Sequence, residues 1–192
     1  MQDERAAAPL SPATTPRGLA AKRDYVRSLE QRRDEEALAG LVECLADESG
    51  YLRELAEGAL LRWGEPSGPA LVPLLRRGLW FSRASAARAL GRLGYAPAAG
   101  PLLELAGDPI ESVSGEALAA LIELARRGGL PRVAAELHRL APESRRARLA
   151  RLSAMDPGLA EPLARLLGEA ERASEPERLH VPGLGAGTAV HG

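Results

Sequence analysis

The chain has 192 residues, enough for one ordinary domain with a real hydrophobic core and no need of a covalent staple. Its 25 basic and 26 acidic residues leave a net charge of -1, which excludes a global field that would draw in nucleic acid or an anionic membrane. Hydrophobic residues make up 45% but aromatic ones only 3%; Ala, Leu, Arg and Glu dominate the middle of the chain, and that mixture favours helix over sheet.

Met1 to Pro16 is charged, then rich in Ala, Pro and Thr, without the apolar run a signal peptide needs. No later stretch approaches a membrane span, so a soluble cytoplasmic protein is expected. Residues 1–17 and the Gly-rich segment 173–192 hold too little apolar surface to offset the cost of ordering, and are expected to be disordered and flexible respectively. Between them, over 18–172, apolar residues recur at three- and four-residue spacing, broken by Gly, Pro, Asp or Ser. The spacing predicts helices over 18–32, 34–46, 50–63, 67–77, 80–93, 96–106, 110–127, 130–140, 143–154 and 158–171. That is an all-α fold of about five antiparallel helix pairs.

The pairs repeat in register. Tyr51 to Gly64 and Phe81 to Gly94 are 30 residues apart, and Arg53, Ala56, Ala59, Leu60 and Gly64 fall on Arg83, Ala86, Ala89, Leu90 and Gly94. At a spacing of 31, Val113, Ala117, Ala120, Leu121 and Leu124 occupy the slots of Ser82, Ala86, Ala89, Leu90 and Leu93. The second helices keep the period through Val42, Val72 and Leu102, and through Leu45, Leu75 and Leu105. The small residues lie on one helix face and let neighbouring helices approach, while the leucines fill the space between layers. Gly64 and Gly94 stand where a left-handed residue closes each first helix. One pair cannot bury its apolar face alone, so the pairs must stack into a solenoid.

The pattern from Phe81 to Gly94, with its Arg, paired Ala and Leu-Gly-x-Leu-Gly ending, resembles the short HEAT-like repeats named after phycobilisome bilin lyases. The resemblance covers residues 47–127 most clearly and extends more weakly over 34–46 and 128–171. It implies a right-handed α-solenoid, an armadillo-type superhelix whose concave surface is formed by the second helices. The class includes scaffolds, adaptors, bilin lyases, a di-iron hydroxylase and DNA-glycosylase relatives, so the fold alone does not select a function.

Chemistry finds little purchase. The hydroxylase relatives hold two irons through repeated His-Glu dipeptides; here His138, His180 and His191 are the only histidines and none precedes Glu. His138 reads as a surface residue. Cys44, inside the apolar run Leu41, Val42 and Leu45, reads as a small core residue. Glu35 and Glu36, and Asp47 and Glu48, sit at predicted helix ends where acids cap or complement the dipole. There is no phosphate loop and no nucleophile elbow. A tetrapyrrole groove would draw on Tyr25, Tyr51, Trp63, Trp80, Phe81 and Tyr95, the whole aromatic stock, and Trp63 belongs to the slot of Leu93 and Leu124 in the core. The chain is therefore expected to be no enzyme and to carry no metal and no cofactor.

Two features stand above this background. Residues 126–151 hold eight arginines, at 126, 127, 132, 139, 145, 146, 148 and 151, against Glu136 and Glu143, whereas residues 30–65 are correspondingly acidic. Such an end suits an acidic protein segment or a phosphate backbone; its alternative is a solvated helix face. Lysine occurs only at Lys22, a bias read as genomic rather than as anion recognition. The second feature is Trp80-Phe81, either an exposed anchor or a staple across the preceding loop. The expected function is a protein-binding scaffold or adaptor, with Trp80, Phe81, Arg126, Arg127, Arg145, Arg146 and Arg148 as partner-binding residues. Binding of a nucleic-acid backbone by the C-terminal arginines is the alternative, and a chromophore-lyase accessory a weaker third; no membrane partner is expected.

Overall fold

The computed structural model describes residues 18–174. The expectations for 1–17 and 173–192, and for His180 and His191, fall outside these residues, except that the last helix runs two positions past 172. The described residues form helices and no strand: α1 Leu19–Arg32, α2 Glu35–Cys44, α3 Gly50–Trp63, α4 Gly68–Leu71, α5 Leu74–Arg77, α6 Trp80–Leu93, α7 Ala99–Leu105, α8 Glu111–Leu124, α9 Leu130–Arg139, α10 Pro142–Met155 and α11 Ala160–Ser174. First helices (α1, α3, α6, α8, α10) pack on first helices and second helices on second helices. The result is an all-α solenoid of five pairs among the described residues.

Two elements depart furthest from their predicted extents, each for an identifiable reason; the helices expected over 96–106 and 158–171 also begin as 3-10 turns, at Ala96–Ala98 and Pro157–Leu159. The helix expected over 67–77 is split into a 3-10 turn at Glu65–Ser67, α4 and α5. Pro73 lacks the N–H that would bond back to Pro69, so the ladder breaks there. The helix expected over 110–127 ends its regular part at Leu124 and opens into a wide turn at Ala125–Gly129, in which Gly128 has φ 93°. The two predicted closing glycines also differ: Gly94 is left-handed at φ 68° and ψ 27°, while Gly64 has φ 78° but ψ -154°.

The predicted seam is the core. Ala56, Ala59, Ala86, Ala89, Ala117 and Ala120 are buried, with Leu60, Leu90 and Leu121 between them. The approach is closest where α6 meets α8, for a Cβ added at Gly91 would stand 2.6 Å from Ala120 Cα. Cys44 is fully buried, and burial pushes its thiol up to about 12, leaving it a packing residue. Trp63 packs against the core but stays partly exposed, with the Arg33 guanidinium 5.5 Å from its ring centroid.

The fifth pair docks differently. Thirty-one residues beyond Ala117 and Ala120, the seam slots of α10 hold Arg148 and Arg151. These side chains are too long for a close helix contact, and α10 buries only Leu152. They reach instead to the C-terminal end of α7. Arg148 Nε donates to the Leu103 carbonyl at 3.3 Å, and Arg151 Nη1 donates to the Ala106 carbonyl at 3.2 Å and to Ser114 Oγ at 2.6 Å. Helix ends leave carbonyls without intrahelical partners, and here arginines supply them. Earlier pairs meet that need locally: Arg53 donates to the carbonyls of Asp47 and Glu48, and Arg83 to that of Gly78. Ser114 stands in the slot of those two arginines; its hydroxyl donates to the Ala106 carbonyl at 2.8 Å, and Arg151 of α10 adds a second donor to the same carbonyl.

Candidate interaction surface on the first helices

A groove of about 440 Å³ runs over α3, α6 and the start of α8. Trp80 and Phe81 stand at its head, edge to face, with ring centroids 5.6 Å apart. The two roles weighed for this pair divide between its members. Phe81 is half-buried beneath the Arg53 guanidinium, 4.4 Å above its ring centroid, and staples α6 to the preceding pair. Trp80 is 52% exposed.

The groove is lined at its centre by a buried carboxylate. Glu57 lies 30 residues before Ala87 and 61 before Leu118, in a slot that is otherwise apolar. Such a group is stable only if paired. Arg88 Nε donates to it at 3.0 Å and Arg92 Nη1 at 3.2 Å, while Arg88 Nη1 also reaches Glu116 at 2.9 Å. The Glu57 side chain is 6% exposed against 57% for Arg92, so the carboxylate lies beneath and the guanidinium faces outward.

A second groove, of about 420 Å³, shares Arg88, Arg92 and Glu116 with the first and continues across α8 to Arg126 and Met155. Arg126 pairs with Asp156 at 2.9 Å, again with the arginine exposed and the acid mostly covered. The same arrangement recurs between Arg62 and Glu30, whose carboxyl is held below the usual range by the Arg62 hydrogen bond. Cross-pair ion pairs thus lace successive first helices together.

Of the residues expected to bind a partner, Trp80, Phe81 and Arg126 line these adjoining grooves, and the rest are dispersed. Arg127 pairs with Glu123 and Arg145 with Glu171, each at 2.8 Å, Arg148 caps α7, and Arg146 is exposed. Arg132 and Arg139 share Glu136, and Arg151 meets Glu111. Seven of the eight arginines between 126 and 151 therefore have a partner inside the molecule. Glu57, Arg88, Arg92 and Glu116 carry the centre of the groove without any sequence motif to announce them. The one available signal is the acid in an apolar register slot.

His138, on a second helix, is partly buried. Among the described residues, no group of three or more His, Cys, Asp or Glu side chains is placed to hold a metal ion. No described helix is long and apolar enough to cross a membrane. No curated protein matches the sequence. Residues 82–108, spanning α6 and α7, match the family model described as PBS lyase HEAT-like repeat. That match lies at the centre of five stacked pairs and supports reading the chain as a HEAT-like repeat protein.

Proposed function

We propose that this protein is a non-enzymatic scaffold that binds another protein along the exposed face of its first helices. One observation carries the reading. Six large apolar residues are exposed among the described residues, and five of them, Leu19, Tyr51, Leu79, Trp80 and Ile110, stand at or beside the N-terminal starts of first helices. First helices of a solenoid run parallel to one another, so these starts form a row along a single edge. Scattered exposed leucines need no explanation, but a row of them beside an indole is the usual composition of an interface anchor.

Leu79→Ser with Trp80→Ser removes the centre of this row without touching the buried seam. The full chain and this variant are to be compared as baits, with circular dichroism to verify equal helicity. The variant is expected to lose the proteins that the parent retains. Retention of the same proteins in the same amounts by both baits would refute the assignment.

A further inference from the structure

We propose that the apolar row at the first-helix starts pairs with the same row of a second copy of this chain, the two copies lying antiparallel about a two-fold axis between α3 and α6. The proposal rests on the reading of that row as an interface and names its occupant. The row crosses four consecutive layers, since α1 lies on α3, α3 on α6 and α6 on α8. It carries Leu19, Tyr51, Leu79 with Trp80, and Ile110 in that order, and the fifth start, at Pro142 of α10, adds no large apolar residue. Its middle therefore falls between α3 and α6. Turning a second copy about that point sets Tyr51 against Leu79 and Trp80 of the copy, and Leu19 against Ile110.

The charges beside the row select the same axis. Within four residues of each helix's first position stand Lys22 and Arg23 for α1, then Asp47, Glu48 and Glu54 against Arg53 for α3. Arg76, Arg77 and Arg83 follow for α6, and Asp108 and Glu111 for α8. Asp47 and Arg53 turn inward, onto the Ser49 N–H and onto the Phe81 ring. Arg83 meets Asp108, and Arg76 meets Glu104, without changing the sign at any start. Lys22 with Arg23, Glu48 with Glu54, Arg77, and Glu111 remain. Of these only Glu111 is in an ion pair among the described residues, with Arg151, and its side chain is still 87% exposed.

The order is positive, negative, positive, negative. A two-fold axis between α3 and α6 lays every positive start on a negative one: Arg77 on Glu48 and Glu54 of the copy, and Lys22 and Arg23 on Glu111. An axis through α3 or through α6 opposes like charges, which disfavours it. An axis between α6 and α8 also matches sign, because Arg145 and Arg146 outweigh Glu143 beside α10, but it sets Tyr51 on Pro142 and leaves Leu19 uncovered. The middle of the row satisfies both conditions. The size fits as well. The exposed parts of the five apolar residues come to roughly 500 Å² per chain, about the apolar share of an interface burying about 800 Å² per partner.

Sedimentation velocity of the full chain over a rising concentration series tests the pairing. The mass is expected to pass from one copy to two and stop there, because a two-fold interface is used up in the pair. Leu79→Ser with Trp80→Ser is expected to weaken the pairing at least tenfold. Arg77→Glu is expected to weaken it about tenfold, as is Glu48→Arg with Glu54→Arg, since each change acts twice across the axis. Mixed together, these two charge variants are expected to regain the parent's affinity as a pair of unlike chains, because both contacts then join opposite charges. A variant that had merely lost its fold cannot recover in this way. The pairing is overturned by the mass of one copy at every concentration, by growth beyond two copies, or by charge variants that pair like the parent or fail to recover on mixing. If Leu79→Ser with Trp80→Ser releases cellular proteins while the parent stays single, the scaffold reading stands and the second copy falls.

Discussion

The first helices α6 and α10 have the same length and the same place in their pairs, yet α6 buries eight residues and α10 one. The difference traces to the shared seam slots. In α6 they hold Ala86 and Ala89, and in α10 Arg148 and Arg151. Alanine lets backbones approach until dispersion and desolvation act over the whole contact; arginine holds the helix off and replaces that contact with a few directed hydrogen bonds. The first-helix layer is thus closed by packing at its centre and by capping at α10, while the second-helix layer stays packed to the end, α11 lying on α9 with Leu163 and Leu167 buried.

Four measurements probe this contrast, in order of decreasing magnitude. Leu121→Ala opens a cavity in the closest-packed region and is expected to cost about 3 kcal/mol in urea unfolding, against about half of that for Leu152→Ala, where α10 can relax into the gap. Equal costs would mean that α10 is as tightly held as α8. Gly91→Ala brings a methyl group against Ala120 Cα and is expected to cost about 2 kcal/mol, read as a fall in Tm.

Arg148→Ala with Arg151→Ala is expected to cost only about 1 kcal/mol globally. It should raise amide hydrogen exchange in α10 while leaving α6 and α8 protected. A fall in protection spread evenly through all three would show one cooperative unit. The smallest effect concerns the N-terminal pair. Hydrogen bonds from Arg62 to Glu30, and from the Ala37 N–H to Asp34, hold both carboxyls below their ordinary values. A lowered folded-state pKa stabilises above the unfolded-state value and is lost as pH falls through the folded one. Thermal stability should therefore fall only below the ordinary carboxylate range, near pH 4, and Glu30→Gln should reduce that acid-dependent fall.

The helices were legible because their signals are local. α3 and α6 run over the predicted residues since the apolar spacing, the small-residue slots and the closing glycines agree there. The split of the second pair's second helix was legible in principle from Pro73, in the middle of the predicted 67–77 span, but the spacing of Leu71, Leu74 and Leu75 masked it. The site was legible only in part. Trp80 and Phe81 stood out because they break the repeat, whereas Glu57 breaks it too and was counted only within the acidic stretch 30–65. Its burial depends on Arg88 and Arg92, one helix on. Summing charge over 126–151 gave a basic cluster, because the acids that meet Arg145 and Arg151 lie 26 and 40 residues away in the chain. Charge summed along a sequence ignores partners that only the stack supplies.

The arginine-docked junction also has a mechanical consequence. A rod assembled from stiff, interdigitated layers is expected to bend first where a layer is joined by long side chains, which here is the first-helix side of the junction between α8 and α10, next to the turn at Gly128. The first groove spans α3, α6 and α8 and lies wholly on the closely packed side of that junction. The second takes Met155 from beyond it, so any bend at that junction would change the width of the second groove and leave the first untouched.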